Sequence, residues 1–165
     1  MEEDYDTSIK YYQKSLKLYR ELKNRKGEAK LLDAIGTYYA RKKDNDKARE
    51  YYEKSIFLNE KINNEEDNII TLVSLSQIDG IQKNDHKVAL EYLIKALEIA
   101  DKFKSDKAGK IHERVASSYL ILDSYSKGKY HLEEALKFTE KNKDLDLLAN
   151  VYQSLGYLYE VKNED

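Results

Sequence analysis

The chain has 165 residues, 36% of them charged, and its 29 basic and 31 acidic side chains leave a formal net charge of −2. This balance gives no electrostatic reason to expect binding to nucleic acid or to an anionic membrane surface. Cysteine is absent, which excludes disulfides and thiolate metal sites, and no apolar run approaches the roughly 20 residues of a membrane-spanning helix. Acidic residues follow Met1 where a signal peptide would be basic and then apolar, so a cytoplasmic location is expected.

Long helices are predicted throughout the chain. Proline is absent and glycine occurs only 6 times, so little interrupts helix formation. Apolar residues recur with a period near 3.6 residues, and polar turns separate the periodic segments. In chain order, the predicted helices cover residues 5–23, 28–42, 46–62, 68–83, 87–103, 107–122, 126–141 and 145–162.

The turns contain residues that begin helices. The segments 42–46, 83–86 and 123–126 each place an Asp, Asn or Ser before the next apolar-periodic stretch. An oxygen of such a side chain accepts a hydrogen bond from a free backbone N–H in the first turn of the helix. These turns are therefore predicted to join consecutive helices as antiparallel neighbours.

A forty-residue repeat relates alternate helices. One set, called first helices here, carries a small residue after an apolar one, at Gly36, Ser76, Ala116 and Gly156. The other set, called second helices, carries a small residue about twelve positions later, at Ala48, Ala89 and Gly128, with Ser8 one period earlier. A small side chain in each helix lets two helix axes approach closely, while larger neighbours fill the adjoining grooves.

These motifs resemble the tetratricopeptide repeat. The resemblance is clearest in the apolar-Gly-x-x-Tyr pattern of residues 34–39, followed by Ala-x-x-x-Tyr-x-x-Ser in residues 47–55. The family's aromatic near the start of the first helix is replaced by Leu32, Leu72 and His112 and survives as Tyr152. HEAT and armadillo arrays have repeats of similar length but lack the spacing of twelve. The resemblance implies an all-α, right-handed superhelical solenoid of about eight helices, forming one array over residues 1–165 and cut from a longer protein.

A binding surface also follows from the resemblance, because first helices line the concave face of such arrays. The expected groove residues are Lys30, Asp33, Thr37, Arg41, Ile70, Val73, Gln77, Ile81, Lys110, Glu113, Arg114, Ser117, Leu120, Asn150, Gln153, Tyr157 and Glu160. This mixed lining would suit an extended peptide or a helix with an apolar centre. The alternative for each residue is a solvated helix face. Carboxylate-clamping relatives carry asparagine where this chain has Asp33, Val73, Glu113 and Gln153, which argues against capture of a peptide C-terminus.

No catalytic, cofactor or metal site is predicted. His86, His112 and His131 fall in a turn and two different helices, and none has a partner at ligand spacing. The many carboxylates alternate with lysines, as on solvated helix surfaces. The 6 glycines are dispersed, so no phosphate-binding loop is expected.

Two functions fit this pattern. The first is a non-enzymatic scaffold that binds a protein or peptide in its groove, and the repeat resembles the sensory arrays of bacterial signalling proteins. The second is an assembly module that self-associates through its terminal helices, since the chain opens on a second helix and closes on a first helix. The last helix carries an apolar stripe suited to a further helix: Leu148, Val151, Tyr152, Leu155, Leu158 and Tyr159.

Overall fold

A computed structural model describes the backbone of residues 2–162 and the side chains of residues 7–81 and 83–161. Every regular element in the described range is helical, which confirms the predicted all-α fold. The α-helices are α1 (Glu2–Glu21), α2 (Arg25–Arg41), α3 (Asn45–Lys61), α4 (Asn68–Gln77), α5 (His86–Lys102), α6 (Ala108–Ile121), α7 (Tyr125–Asn142) and α8 (Leu145–Lys162). A 3-10 turn at Glu65–Asp67 precedes α4, and a π-helical turn at Ile78–Gln82 follows it.

Internal packing divides the chain into two compact units. Unit 1 covers residues 1–75 and unit 2 covers residues 76–165. Unit 1 contains α1, α2, α3 and most of α4, whereas unit 2 contains the end of α4 and all later helices. A single array over the whole chain stays a prediction.

In unit 1, the small residue of α2 brings α3 into close contact. A Cβ atom on Gly36 would lie 2.6 Å from a ring carbon of Tyr52, and Tyr52 is only 1% exposed. The Ser55 hydroxyl, also buried, donates to the carbonyl oxygen of Ala29 at 2.8 Å and so fixes the same pair of helices. The adjoining apolar core consists of Leu16, Leu31, Leu32 and Ile35.

In unit 2, α6 and α7 pack by the same rule with the small residue on the other helix. A Cβ on Gly128 of α7 would lie 2.7 Å from Cδ2 of Leu120 on α6. The core continues into α8, whose Val151 and Leu158 are fully buried. The other buried members of this core are Ala116, Leu120, Leu132, Ala135 and Leu147.

All seven turns between the described helices share one backbone conformation that the sequence does not signal by glycine. Each turn contains one non-glycine residue whose φ is positive. These residues are Lys23, Lys43, Asn63, Asn84, Lys104, Asp123 and Lys143. At Lys43 the flanking bonds form a Schellman motif: Asp44 N–H donates to Tyr39 O at 3.0 Å, and Lys43 N–H donates to Ala40 O at 3.0 Å. The turn thus satisfies the carbonyls at the end of the helix and reverses the chain within a few residues.

The residue after the positive-φ position begins the next helix in several turns. The predicted caps are confirmed at Asp44, which accepts from Lys47 N–H at 3.3 Å, and at Asp85, which accepts from Val88 N–H at 3.2 Å. The prediction for the turn at 123–126 is wrong. There the Ser124 hydroxyl contacts Leu122 O at 3.4 Å and caps no N–H of α7.

The end of α4 differs from the predicted continuous helix over 68–83. The helix ends at Gln77 and continues as the π turn, in which the backbone accommodates one extra residue. That residue accounts for an irregular spacing in the sequence, because Ser76 and Ala89 are separated by 13 positions where Gly36 and Ala48 are separated by 12. The π turn therefore absorbs an insertion and keeps Gly80 close to Ala89, with 3.2 Å between a Cβ built on Gly80 and Ala89 Cβ.

Candidate partner-binding surfaces

Unit 1 has a cavity on the face of α2 that carries three predicted groove residues. Residues at positions 33, 37 and 41 recur every four positions and so project from one side of the helix. The cavity has a volume of about 330 Å³ and is lined by Ser8, Tyr12, Asp33, Ala34, Thr37, Tyr38 and Arg41.

Two of these polar side chains are already engaged within unit 1. Asp33 accepts a hydrogen bond from the Thr71 hydroxyl at 2.7 Å, and Thr37 accepts one from the Tyr52 hydroxyl at 3.2 Å. Burial raises the pKa of Asp33 above its ordinary value, although the bond from Thr71 acts in the opposite direction. Arg41 is exposed at the same cavity, so it is the side chain there that can reach a partner's carboxylate.

Unit 2 has a corresponding cavity between α6 and α8. Its volume is about 390 Å³, and its lining residues are Glu113, Ser117, Leu120, Ile121, Asn150, Gln153, Ser154 and Tyr157. The Glu113 carboxylate accepts from the Ser117 hydroxyl at 3.1 Å. Asn150 and Gln153 are exposed, and two apolar side chains stand at the rim, with Ile121 54% and Tyr157 50% exposed. The cavity thus combines amide groups, one carboxylate and an apolar surface.

The two predicted groove lysines form ion pairs inside their own units. Lys30 Nζ lies 3.7 Å from Asp67 in unit 1, and Lys110 Nζ lies 3.0 Å from Asp144 in unit 2. The Asp144 side chain also accepts from Leu147 N–H, and this bond together with Lys110 lowers the pKa of Asp144. Both lysines stay more than half exposed, so they are only partly occupied by these contacts.

The other predicted groove residues lie outside the two cavities. With its amide oxygen turned toward Arg114, Gln77 accepts from both terminal guanidinium nitrogens at 2.8 and 3.1 Å. Val73 is half-buried on α4 and belongs to neither lining set. Ile70 and Ile81 are exposed by 55% and 77%, which makes them apolar surface residues.

The histidine prediction is corrected by the structure. His112 on α6 and His131 on α7 lie side by side, with their Nδ1 atoms 2.9 Å apart. The rings of Tyr119 and Phe138 pack against this pair. Burial lowers the pKa of both histidines, and the charge of His112 lowers the pKa of His131 further. Sequence spacing could not reveal the pair because its members are nineteen positions apart and lie on two helices. Only the alignment of repeat positions on α6 and α7 could have shown it.

The histidine pair is a hydrogen-bonded contact between α6 and α7. Among the described residues, no group of three or more His, Asp or Glu side chains is placed to hold a metal ion. In the helices that the structure describes, none is long and apolar enough to cross a membrane.

Comparison with known proteins identifies the repeat. A family model described as tetratricopeptide repeat matches residues 1–61. Residues 1–61 carry the tetratricopeptide repeat. Beyond the matched segment, the remaining helices continue the forty-residue columns of the tetratricopeptide pattern predicted from the sequence. No curated protein sequence matches the chain at a significant level.

Solved structures share the helical-repeat fold over most of the chain. The crystal structure of BtubC (BKLC) from P. vanneervenii matches 98% of this chain and 68% of its own, with a TM-score of 0.86 and 19% identity. The N-terminal domain of stress-induced protein-1 (STI-1) from C. elegans matches 79% of this chain and 96% of its own, with a TM-score of 0.64 and 17% identity. Tetratricopeptide repeats form protein-interaction scaffolds and are not usually enzymes, and this is the general role that the fold and the repeats support.

Proposed function

We propose that the chain binds a peptide or helix of a partner protein on the faces of its first helices. The observation that carries the proposal is the cavity of unit 2. Two consecutive first helices, α6 and α8, supply Glu113, Asn150, Gln153 and Tyr157 to one concave surface. The amides can donate to and accept from a peptide backbone, while Tyr157 and the neighbouring Ile121 contact an apolar side chain.

The cavity of unit 1 supplies a second contact region of different charge. Arg41 offers five N–H donors for a carboxylate or a carbonyl, beside the Tyr12 and Tyr38 rings. Glu113 in unit 2 instead offers a carboxylate for a cationic group. Each unit therefore offers its own candidate site, and the two sites differ in charge.

Mutation of the unit 2 cavity tests the proposal once a partner has been isolated from the native host by pull-down and mass spectrometry. Replacing Asn150 and Gln153 together by alanine should weaken binding about tenfold or more in isothermal titration calorimetry. The matched control is Tyr152→Ser, which changes an exposed residue of the same helix outside the cavity. Charge reversal at Arg41 and at Arg114 extends the test to the other predicted groove residues. Equal affinity for the double variant and the wild type would remove the groove assignment.

The finer setting that the resemblance supports is the sensory or regulatory region of a bacterial signalling protein. Such a region would bind a peptide signal and pass the change to a fused effector domain. The chain's Lys-, Asn-, Ile- and Tyr-rich composition is compatible with an AT-rich genome. Sequencing the full gene tests this setting, because a kinase, helix-turn-helix or cyclase segment beside the array would support it and an unrelated neighbour would oppose it.

Self-association is the second candidate, and exposed faces on two helices favour it. On α8, Tyr152 is 59% and Tyr159 50% exposed, and a Cβ on Gly156 would meet no atom within 4 Å. The same repeat positions of α2, such as Leu32 and Gly36, are buried in unit 1. The outer face of α8 therefore has the shape that a second helix packs against.

The complementary face lies on α1, which is a second helix. Tyr11 and Leu18 of α1, and Leu22 directly after its end, are between 57% and 73% exposed. Two of the corresponding residues of α3, Tyr51 and Leu58, pack against the core of unit 1. Pairing α8 of one copy with α1 of another would repeat the packing of a first helix on a second helix.

Sedimentation velocity over a range of concentrations tests this candidate. Assemblies that grow with concentration and disappear in both Leu18→Glu and Gly156→Leu would support head-to-tail pairing. Tyr157→Glu is the control because Tyr157 lines the cavity of unit 2 rather than the outer face. A monomer at all concentrations up to about 1 mM would exclude self-association of any use in a cell.

A further inference from the structure

Unit 1 contains another concave surface, here called the basic cleft, on a different side of α2 from the predicted groove. It has a volume of about 450 Å³ and is lined by Arg20, Arg25, Glu28, Leu32, Lys54, Phe57, Leu58, Lys61 and Ile62. Leu32 and Asp33 are adjacent in sequence, so their side chains diverge on the helix. The basic cleft and the groove cavity of unit 1 therefore share no lining residue.

Positive charge dominates the basic cleft, which has four cationic side chains and one carboxylate. The carboxylate belongs to Glu28, whose side chain is only 7% exposed and which accepts from Arg20 Nε at 2.8 Å and from an Arg25 terminal nitrogen at 2.9 Å. Burial acts to raise the pKa of Glu28, but the bonds from the two arginines outweigh it and the pKa is lowered.

These ion pairs position the two arginines and leave most of their N–H donors available. Each guanidinium has five N–H donors in a planar fork, and the recorded bond to Glu28 engages one of them. More than half of each arginine side chain is exposed at the cleft. Glu28 therefore fixes two guanidinium groups in positions where they can bind a further anion. Binding then costs less side-chain conformational entropy than it would with unrestrained surface arginines.

An apolar surface lies beside the charges. Phe57 is 57% exposed, and Leu58 and Ile62 are half-buried next to it. The Lys61 ammonium stands 4.2 Å from the centre of the Phe57 ring, which places a cation directly on the exposed aromatic. The basic cleft thus places an apolar surface directly beside a cationic group that can bind an anion.

The corresponding positions of unit 2 show that helix packing does not require this composition. The repeat places Asp101 where unit 1 has Arg20, Ala108 where it has Glu28, Glu134 where it has Lys54, and Lys137 where it has Phe57. Both units keep the same helix pairs with these different residues. The basic and aromatic character is therefore a property of this one cleft rather than of the fold.

We propose that the basic cleft is a second protein-binding site, which takes an acidic peptide segment with an apolar anchor. The partner's large apolar side chain contacts Phe57, Leu58 and Ile62, while carboxylates on either side of it bind Arg20, Arg25 or Lys61. Charge complementarity selects an acidic partner, and the concave shape with its apolar wall selects a peptide over a flat lipid surface. This site is independent of the groove proposed above.

Fluorescence anisotropy with three labelled peptides and the whole 165-residue chain tests the proposal. The first peptide, of about ten residues, has Phe-Leu at its centre and Glu or Asp at the flanking positions. The second replaces each carboxylate residue by Lys, and the third replaces Phe-Leu by Ser-Ser. We expect the first peptide to bind with a Kd of about 100 µM or below and the other two at least about tenfold more weakly. Added salt should weaken the first interaction.

Two cleft variants and two controls locate the binding. Lys61→Glu and Phe57→Ser change exposed side chains and should each raise the Kd for the acidic peptide about tenfold. Lys141→Glu makes the same charge change at the matching repeat position of unit 2, and Arg41→Glu makes it in the groove. Both controls should stay within about twofold of the wild type, with circular dichroism confirming the fold of all four.

Three results would overturn the proposal. The first is an acidic peptide that binds no more tightly than its lysine version. The second is an equal loss of affinity in Arg41→Glu, which would place the peptide in the groove. The third is retention of phosphatidylserine vesicles by the wild type and not by Lys61→Glu or Phe57→Ser, combined with no peptide binding, which would assign the cleft to a membrane surface.

Discussion

The helix pairs α2–α3 and α6–α7 occupy equivalent places in the repeat but differ in what surrounds their close contact. In α2–α3, Gly36 receives the Tyr52 ring, and Leu32 and Tyr51 pack beside it. Eighty residues later, α6–α7 replaces Leu32 by His112 and Tyr51 by His131, which hydrogen bond to each other. Both pairs therefore keep a small residue against a larger one at the helix crossing, while the neighbouring positions differ in polarity and charge.

This difference distinguishes the positions at which the fold requires a particular residue size from those at which it tolerates different residues. Close approach of two helices depends on a small residue facing a large one, and a few tenths of an ångström matter there. The positions around that contact need only fill space, so unit 1 can hold a basic cleft and unit 2 a histidine pair. Variants at equivalent positions of the two units measure how far this separation holds.

The largest expected effect contrasts two glycines at the same repeat position. Gly36→Ala places a Cβ 2.6 Å from the fully buried Tyr52 ring, which cannot move without disturbing the core of unit 1. We expect it to lower the free energy of unfolding by about 2–3 kcal/mol. Gly156→Ala meets no atom within 4 Å and should raise the free energy of unfolding by up to about 1 kcal/mol through helix propensity. Urea unfolding followed by far-UV circular dichroism measures the free energy of unfolding of both variants. Changes of the same sign would show that the close contact with Tyr52 is not the reason for glycine at position 36.

A second contrast concerns buried polar residues. Asn59 is 2% exposed, donates to Asn68 Oδ1 at 2.8 Å and accepts from Asn64 at 3.1 Å. Asn59→Ala leaves the buried Asn68 oxygen without this donor, so we expect a loss of about 2 kcal/mol in the free energy of unfolding. Thr139→Ala, at the matching position in unit 2, removes one hydroxyl bond to Leu136 O and should cost about 1 kcal/mol. Urea unfolding of both variants measures the two losses of free energy. Equal losses would contradict a special role of the asparagine network.

The histidine pair predicts that mild acid destabilises unit 2. Burial lowers the pKa of His112 and His131 below the ordinary value near 6.5, against opposing effects from Asp101 and Glu134 and a further lowering of the His112 pKa by Lys137. Between the lowered and the ordinary pKa, the unfolded chain binds protons that the folded chain does not. Stability is therefore greatest well above the ordinary pKa of about 6.5 and falls as the pH drops through that value toward the folded ones, by at most about 1.4 kcal/mol per pH unit for each histidine.

The residues of unit 1 supply the control for this pH dependence. His112→Leu with His131→Tyr installs the side chains that α2 and α3 carry at Leu32 and Tyr51. Thermal unfolding of the wild type should show a decreasing midpoint from about pH 7 to pH 5.5, and this decrease should be largely absent in the double variant. Parallel pH profiles for the two proteins would show that the histidine pair does not control acid stability.

The sequence predicted the helices well and the connections poorly, for physical reasons visible at particular residues. Apolar periodicity and the small residues at Gly36 and Ala116 are local signals, so seven of the eight helices end within three residues of their predicted bounds. The π turn at Ile78–Gln82 has residue types typical of a continuous α-helix. Its only signal in the sequence is the extra residue between Ser76 and Ala89. The His112–His131 contact depends on the packing of two helices, which a single sequence encodes only through its repeat alignment.

The positive-φ turn residues were the least predictable feature, because glycine is the usual signal for that conformation and none of the seven is glycine. They also give the smallest expected effect. Lys43 in unit 1 and Asp123 in unit 2 occupy the same turn position, with φ of 61° and 55°.

Replacement by glycine relieves the strain of a side chain at positive φ, so Lys43→Gly should raise the free energy of unfolding by about 0.5–1 kcal/mol. Asp123→Gly gains the same relief but loses the bond that Asp123 accepts from the Tyr125 hydroxyl at 2.9 Å, so its gain should be smaller. Differential scanning calorimetry of both variants measures the order. A larger gain at Asp123 would show that its exposed hydrogen bond contributes nothing to the turn, whereas a loss at Lys43 would mean that the lysine stabilises the turn by more than its backbone strain costs.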